Sequence, residues 1–206
     1  MAKQTFDDLA QVIAGLSSKH RQKLIGIDGG GGAGKSTFAK HLQSALHNAE
    51  VIHIDDFYIG PWDKRLEHTD YVVNPMFDWQ RYKSEVLDRI QRDEQVTYHI
   101  YDWHEHNTNK IATVPQDAVV LVEGVYTIQK SFAAVYDYKI WIEADMDLRL
   151  QKALGRDGEH MRFLWEEDWL PVERNYIAKD NPVSRADLIV KGHSADFTQG
   201  FFETIS

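Results

Sequence analysis

Four consecutive glycines, Gly29, Gly30, Gly31 and Gly32, followed by Ala33, Gly34, Lys35, Ser36 and Thr37, constrain this chain more than any other segment. The run fits G-x-x-x-x-G-K-[ST], and its surroundings matter more than the match. The apolar stretch Leu24-Ile25-Gly26-Ile27 leads into it through Asp28 and reads as a buried strand. Phe38, Leu42, Ala45 and Leu46 follow it and mark a helix. A strand that turns through glycines into a helix aims free backbone N–H groups at one spot. The glycines let that backbone close around phosphate oxygens. In such a cradle Lys35 bridges the outer phosphates of a nucleoside triphosphate and the Ser36 hydroxyl coordinates magnesium. A chance match in a chain of this size is on the order of one in a hundred from ordinary residue frequencies.

The rest of the chain repeats the strand-then-helix rhythm. Phe6, Leu9, Ile13 and Leu16 predict an amphipathic helix from Thr5 to about Ser18. Apolar, β-branched runs at Val51–Ile54, Ala118–Val122, Lys139–Ile142 and Ala186–Val190 predict strands, none with polar alternation. Trp79, Tyr82, Val86, Leu87 and Ile90 outline a helix, as do Leu148–Leu154 and the longer Glu159–Lys179, which Pro171 is expected to kink. This pattern predicts an α/β chain of the P-loop NTPase class: a parallel five-stranded sheet flanked by helices on both faces, residues 1–206 forming one domain. Residues 60–74 lack periodicity and read as an irregular, substrate-side insertion. Ser194 to Ser206 gives no reading.

Composition narrows the chemistry by exclusion. The 206 residues contain no cysteine, which rules out disulfides, thiolate catalysis and zinc–cysteine sites and fits a reducing cytoplasm. A formal net charge of −9 argues against a nucleic-acid polymer as partner. The opening MAKQTFDDLAQVIAGL is too polar and acidic for a secretory signal. No run approaches the roughly 20 apolar residues of a membrane span. The expected partner is a small-molecule substrate, with self-association left open.

In an open parallel sheet, ligands bind beyond the carboxyl ends of the strands. Two further strand ends deliver acids there: Asp55-Asp56 after Val51–Ile54, and Glu123-Gly124 after Val119–Val122. Phosphoryl transfer needs a carboxylate to orient or deprotonate the acceptor and another to hold magnesium. Asp56 reads equally well as a turn residue. Arg149 and Arg156 lie seven residues apart, on one helical face, where they could neutralise a phosphoryl group in flight. Gly155 and Gly158 around Arg156 allow a hinge.

Taken in order, the phosphate loop, HIDDFY (53–58), IYDWHEH (100–106), VVLVEGVY (119–126) and RLQKALGRD (149–157) resemble the uridine kinase-like P-loop kinases, also called the uridine kinase/phosphoribulokinase type. The likeness spans nearly the whole chain. It implies phosphorylation of a small-molecule hydroxyl, most readily a nucleoside's, using ATP and Mg2+. By the resemblance, Asp55 stands where the family has its catalytic base, and Glu123 where it has its magnesium-associated acid. Tyr58, Tyr101 and His106 fall where it has substrate contacts. Arg149 and Arg156 match arginines that introduce a lid, here short and near residues 155–165, with Arg162 as a third cation. Two departures stand out. The family's D-H-P motif reads Val73-Asn74-Pro75, with Asp70 or Asp78 as conceivable substitutes, and its R-R pair reads Lys152-Ala153. Pantothenate, a sugar phosphate or a nucleoside monophosphate therefore stand as alternative acceptors.

Other features weigh less. His99, His104 and His106 beside Asp102 and Glu105 match no metal-ligand spacing. Among Trp62, Trp79, Trp103, Trp165 and Trp169, most read as core, and Trp103 is the best candidate for stacking on a substrate. A nucleotide switch without transferase activity is the rival from another class. A GTPase would carry N-K-x-D, whereas Asn109-Lys110-Ile111-Ala112 lacks the aspartate.

Overall fold

The computed structural model describes residues 2–60, 73–193 and 195–205. Most of the expected insertion, with Trp62 and Asp70, lies outside the described residues.

Five strands run parallel in the spatial order β3 (Ala49–His53), β6 (Val119–Glu123), β2 (Leu24–Asp28), β7 (Tyr138–Glu143) and β8 (Leu188–Lys191). Side chains along each strand alternate between two buried faces, which explains the absence of polar alternation in the sequence. Ile25, Ile27, Leu121, Ile140 and Ile142 enter one apolar core with α1 (Phe6–Gly15) and α2 (Lys35–Ala45). Leu24, Val120, Val122 and Trp141 enter the other, against Tyr82, Val86, Leu87, Ile90 and Tyr176.

The sheet is wider than the five strands expected. β9 (Phe201–Thr204) adds antiparallel to β8, and β1 (Ala2–Thr5) adds antiparallel to β9. Both strands are only four residues long, too short for periodicity to register. Phe202 is the anchor: fully buried, it packs on Phe6 and Phe38 at ring separations of 5.2 and 5.5 Å. Thr5 ends β1 and caps α1 through a reciprocal capping box with Asp8.

β4 (Val96–Asp102) and β5 (Asn107–Val114) form a separate antiparallel hairpin with a register shift between Ile100 and Asp102. Asp102 closes its turn by accepting hydrogen bonds from the His104 and Glu105 amides. This holds Trp103 out at the rim. The helix before the hairpin is α3 (Trp79–Tyr82), a π-helical turn (Lys83–Leu87) and α4 (Asp88–Gln91).

α5 (Met146–Asp157) is capped by Asp145 and ends at Gly158, whose φ of +93° suits glycine. A 3-10 turn (Glu159–Met161), α6 (Arg162–Leu164) and a π-helical turn (Trp165–Trp169) then lead into α7 (Leu170–Asp180). The expected disturbance at Pro171 takes this form. Proline brings no N–H to the helix ladder, and the wider turn before it absorbs the mismatch. No helix among the described residues is long and apolar enough to cross a membrane.

Candidate active site

β2 is the middle one of the five parallel strands and delivers the phosphate loop at its carboxyl end. Gly34 sits at φ +95°, a left-handed conformation, and starts α2 without a side-chain cap. No acid stands in the first turn of α2, so its positive end and the amides of Lys35, Ser36 and Thr37 stay available to an anion. Lys35, buried, folds back to donate to the Gly30 carbonyl at 3.0 Å.

Strand order brings the acids to this loop. β6 pairs with β2 on one side and β3 on the other, and Glu123 is in register with both Ile27 and His53. Asp55 follows two residues after His53, on a 3-10 turn. Ser36 Oγ donates to Glu123 Oε1 at 3.0 Å, and His53 Nδ1 lies 2.5 Å from the same oxygen. Burial by itself would raise the Glu123 pKa. The His53 contact, the Lys35 charge and the Ser36 hydroxyl outweigh it and hold the group below its ordinary value. Asp55 goes the other way. Its side chain is open to the cleft, yet the surrounding walls desolvate it and the Glu123 charge repels its ionised form, so its pKa is raised. Lys35, His53 and Arg156 partly offset this.

Lys35, Ser36, Asp55 and Glu123 line one cleft of about 710 Å³ with Tyr58, Asn74, Phe77, Trp103, Tyr126, Lys152, Arg156, Trp165, Trp169, Glu173 and His193. Trp103 is 54% exposed and stacks on Tyr58, ring centroids 4.5 Å apart and planes at 28°. Tyr101 and His106 are not on the cleft wall. Tyr101, buried, bonds through its hydroxyl to His106 Nδ1 at 3.0 Å and meets Trp103 edge-on at 5.1 Å. They support the aromatic wall from behind.

The two arginines do not converge. Arg156 is two-thirds exposed beside the cleft and holds Asp157 at 2.6 Å. Arg149, two turns earlier on α5, is buried beneath the loop and pairs with Glu173 at 3.3 Å. Helical spacing put them on one face, but the loop covers one end of that face and leaves the other open. Arg162 pairs with Glu159 and Glu166 instead of turning inward. Lys152 does line the cleft, so the family's arginine position keeps a cation.

Val73 packs against the apolar core, whereas Asn74 reaches the cleft. Asp78 does not replace the missing acid: it caps α3 by accepting from the Arg81 amide at 2.9 Å and pairs with Arg81. The histidines at 99, 104 and 106 disperse, His99 to Glu85, His104 to solvent and His106 to Tyr101. Among the described residues no group of three potential ligands could hold a metal ion by itself. An oxygen set of Ser36, Glu123 and Asp55 still fits magnesium, which takes one or two carboxylates alongside substrate phosphates.

Sequence reasoning passed over Asp28, Glu173 and His193. Asp28, fully buried at the end of β2, accepts four hydrogen bonds. They come from the amides of Gly29 (2.7 Å), Tyr126 (3.1 Å) and Ile128 (2.9 Å) and from the Tyr176 hydroxyl (2.7 Å). Burial pushes its pKa from 3.8 up to about 6 despite these donors. Between those values the folded chain holds a proton that the unfolded chain releases, so this group makes stability fall as pH rises through that window. Urea unfolding of the wild type from pH 4 to 6 should lose about 2 kcal/mol relative to Asp28→Asn over the same range. Parallel pH dependences for the two proteins would refute this.

Comparison with known proteins agrees with the geometry. Residues 24–191 match the model of the Phosphoribulokinase / Uridine kinase family. A uridine kinase of Leuconostoc citreum is 31% identical over 181 residues, covering 81% of this chain and 86% of that protein. One of Borrelia duttonii is 26% identical over 189 residues, covering 84% and 88%. A solved structure described as a possible uridine kinase from Bacillus stearothermophilus superposes with a TM-score of 0.67. It is 22% identical, covers 89% of this chain and 96% of its own, and shows the shared fold. With its phosphate loop, strand-end acids and cationic α5, this chain belongs to the phosphoribulokinase / uridine kinase family and is a P-loop small-molecule kinase.

Proposed function

We propose that this kinase transfers the γ-phosphoryl group of ATP to a hydroxyl of a nucleoside. The observation that carries the acceptor class is the stacked Tyr58–Trp103 pair, a flat aromatic wall beside Asp55 that suits a planar base. The curated relatives named above are uridine kinases, which supports the same class.

In this reading the loop amides and Lys35 hold the triphosphate, and Arg156 with Lys152 faces the charge that develops on the transferring group. Asp55 accepts the proton of the acceptor hydroxyl as its oxygen bonds to the γ-phosphorus and the bond to ADP breaks. A raised pKa suits a base that must take a proton near neutral pH. Magnesium, held by Ser36, Glu123 and Asp55 together with the phosphates, supplies charge neutralisation when bound. Tyr101 and His106 act through Trp103 and Tyr58 by fixing their rings.

A second reading keeps the chemistry and changes the acceptor. Val73 packs into the core and offers no acceptor to a ribose hydroxyl, while Lys152 adds a cation to the cleft. These favour an anionic acceptor: a sugar phosphate, a nucleoside monophosphate or pantothenate. ADP release across a panel of nucleosides, nucleotides, sugar phosphates and pantothenate separates the readings. The nucleoside reading expects turnover with uridine or a related nucleoside. It also expects Trp103→Ala to raise the nucleoside KM about tenfold, as lost base stacking should, with the ATP KM unchanged. Turnover confined to phosphorylated acceptors or pantothenate would move the assignment to the second reading. ATP binding with no acceptor at all would leave a nucleotide switch.

A further inference from the structure

The phosphate motif requires glycine only at Gly29 and Gly34, yet this loop also has glycine at 30, 31 and 32. The space outside the loop explains the extra three. A methyl group placed on Gly30 would lie 1.1 Å from Arg149 Nη1. One on Gly31 would lie 2.6 Å from Glu173 Oε1 and 2.7 Å from the Trp165 ring. One on Gly32 would lie 2.3 Å from the Arg149 carbonyl oxygen. The loop is pressed against an ion pair formed by two helices, Arg149 from α5 and Glu173 from α7.

The contact is directional as well as tight. The Gly31 amide donates to both Glu173 carboxylate oxygens at 3.0 Å, and Glu173 Oε2 takes Arg149 Nη1 at 3.3 Å. Both side chains are about 5% exposed. Arg149 Nε, also buried, has no hydrogen-bond partner among the described residues. Burying two charges costs more than their attraction usually returns, and an unsatisfied donor adds to that cost. Stability is therefore a poor reason for this pair to be here.

We propose that Glu173, held in place by Arg149, is a positioning residue that fixes the curvature of the phosphate loop through the Gly31 amide before nucleotide arrives. A flexible run of four glycines would otherwise sample many conformations, and ordering it would subtract from nucleotide affinity. The inference deepens the kinase reading and rests on it only for the identity of the nucleotide.

The test compares wild type with Glu173→Gln and Glu173→Ala. Each protein is first checked for an unchanged circular dichroism spectrum. Affinity is then measured directly with a fluorescent ATP analogue, and KM for ATP and for the acceptor separately. Glu173→Ala should weaken ATP about tenfold, the scale of one hydrogen bond to a charged group. Glu173→Gln, whose amide oxygen can still accept from Gly31, should recover part of that loss. The acceptor KM should not move in either variant. A merely structural role would lower the folded fraction without shifting the ATP Kd of what remains folded. An unchanged ATP Kd overturns the proposal, and so does a tighter one, which would mean that Glu173 occupies a phosphate's place. Should Glu173→Ala not fold, Glu173→Gln alone decides: it must bind ATP measurably more weakly than wild type, and parity sinks the idea. An acceptor panel without turnover would count against the nucleoside reading and leave this one standing.

Discussion

Asp55→Asn is expected to lower kcat by at least about a hundredfold, the usual worth of a general base, while ATP affinity stays close to that of wild type. Asparagine keeps the size of aspartate and loses its ability to take a proton. The position is specific. Asp55 stands just past the end of β3, open to the cleft, with Glu123 repelling its charge from one strand over. That repulsion, together with desolvation, is what makes the carboxylate more basic than an ordinary one. ATP should notice the change little, because in the proposed reading Lys35 and the loop amides carry the triphosphate, Ser36 and Glu123 still hold magnesium, and the asparagine amide oxygen can take the carboxylate's place beside it. Kinetics on whichever acceptor turns over, with parallel ATP titration, measure both quantities. Turnover near the wild-type rate would remove Asp55 from the chemistry. Loss of ATP binding along with turnover would make it a nucleotide ligand instead.

Lys35→Met should cost at least about a hundredfold in turnover, comparable to deleting a preorganised transition-state donor, and should weaken ATP as well. Methionine keeps the stem and removes the charge. Among the described residues, Lys35 is the one cation whose field lowers the pKa of four acids in or under the cleft, Asp28, Asp55, Glu123 and Glu173. Its loss therefore does two things. The γ-phosphate loses its ammonium partner, and each of those carboxylates becomes harder to ionise. A base that must be ionised to work would then become active only at higher pH. The residual activity of Lys35→Met should rise at a more alkaline pH than that of the wild type. Activity within a few-fold of wild type, or a pH profile that does not move, would show that Lys35 is not the central charge of the site.

The phosphate loop and the two strand-end acids were legible in the sequence because each is a local event. An apolar run, a turn and a helix start within about twenty residues of one another fix the loop. The end of an apolar strand places Asp55 and Glu123 without any long-range information. The parallel core was legible for the same reason, since strands buried on both faces are apolar throughout. β1 and β9 were not, because four residues give too few repeats for a period. Arg149 and Arg156 show where periodicity misleads. Spacing assigns both to one side of α5, but burial depends on what lies over that side, and the phosphate loop covers only the first of them. Tyr101 and His106 follow the family's order along the chain, yet the hairpin turns them behind Trp103.

By itself, the sequence determined that a glycine-rich loop joins a buried strand to a helix at Gly29–Thr37 and that two carboxylates come to the same end of a parallel sheet. The tertiary structure alone decided that β6 sits between β2 and β3, which unites those acids with Ser36. It alone decided that Glu173, 142 residues beyond Gly31, closes on the loop from α7. Local patterns follow from covalent spacing and backbone geometry. Which distant side chain fills the space beside a glycine follows from how helices dock, and no short-range period carries that information.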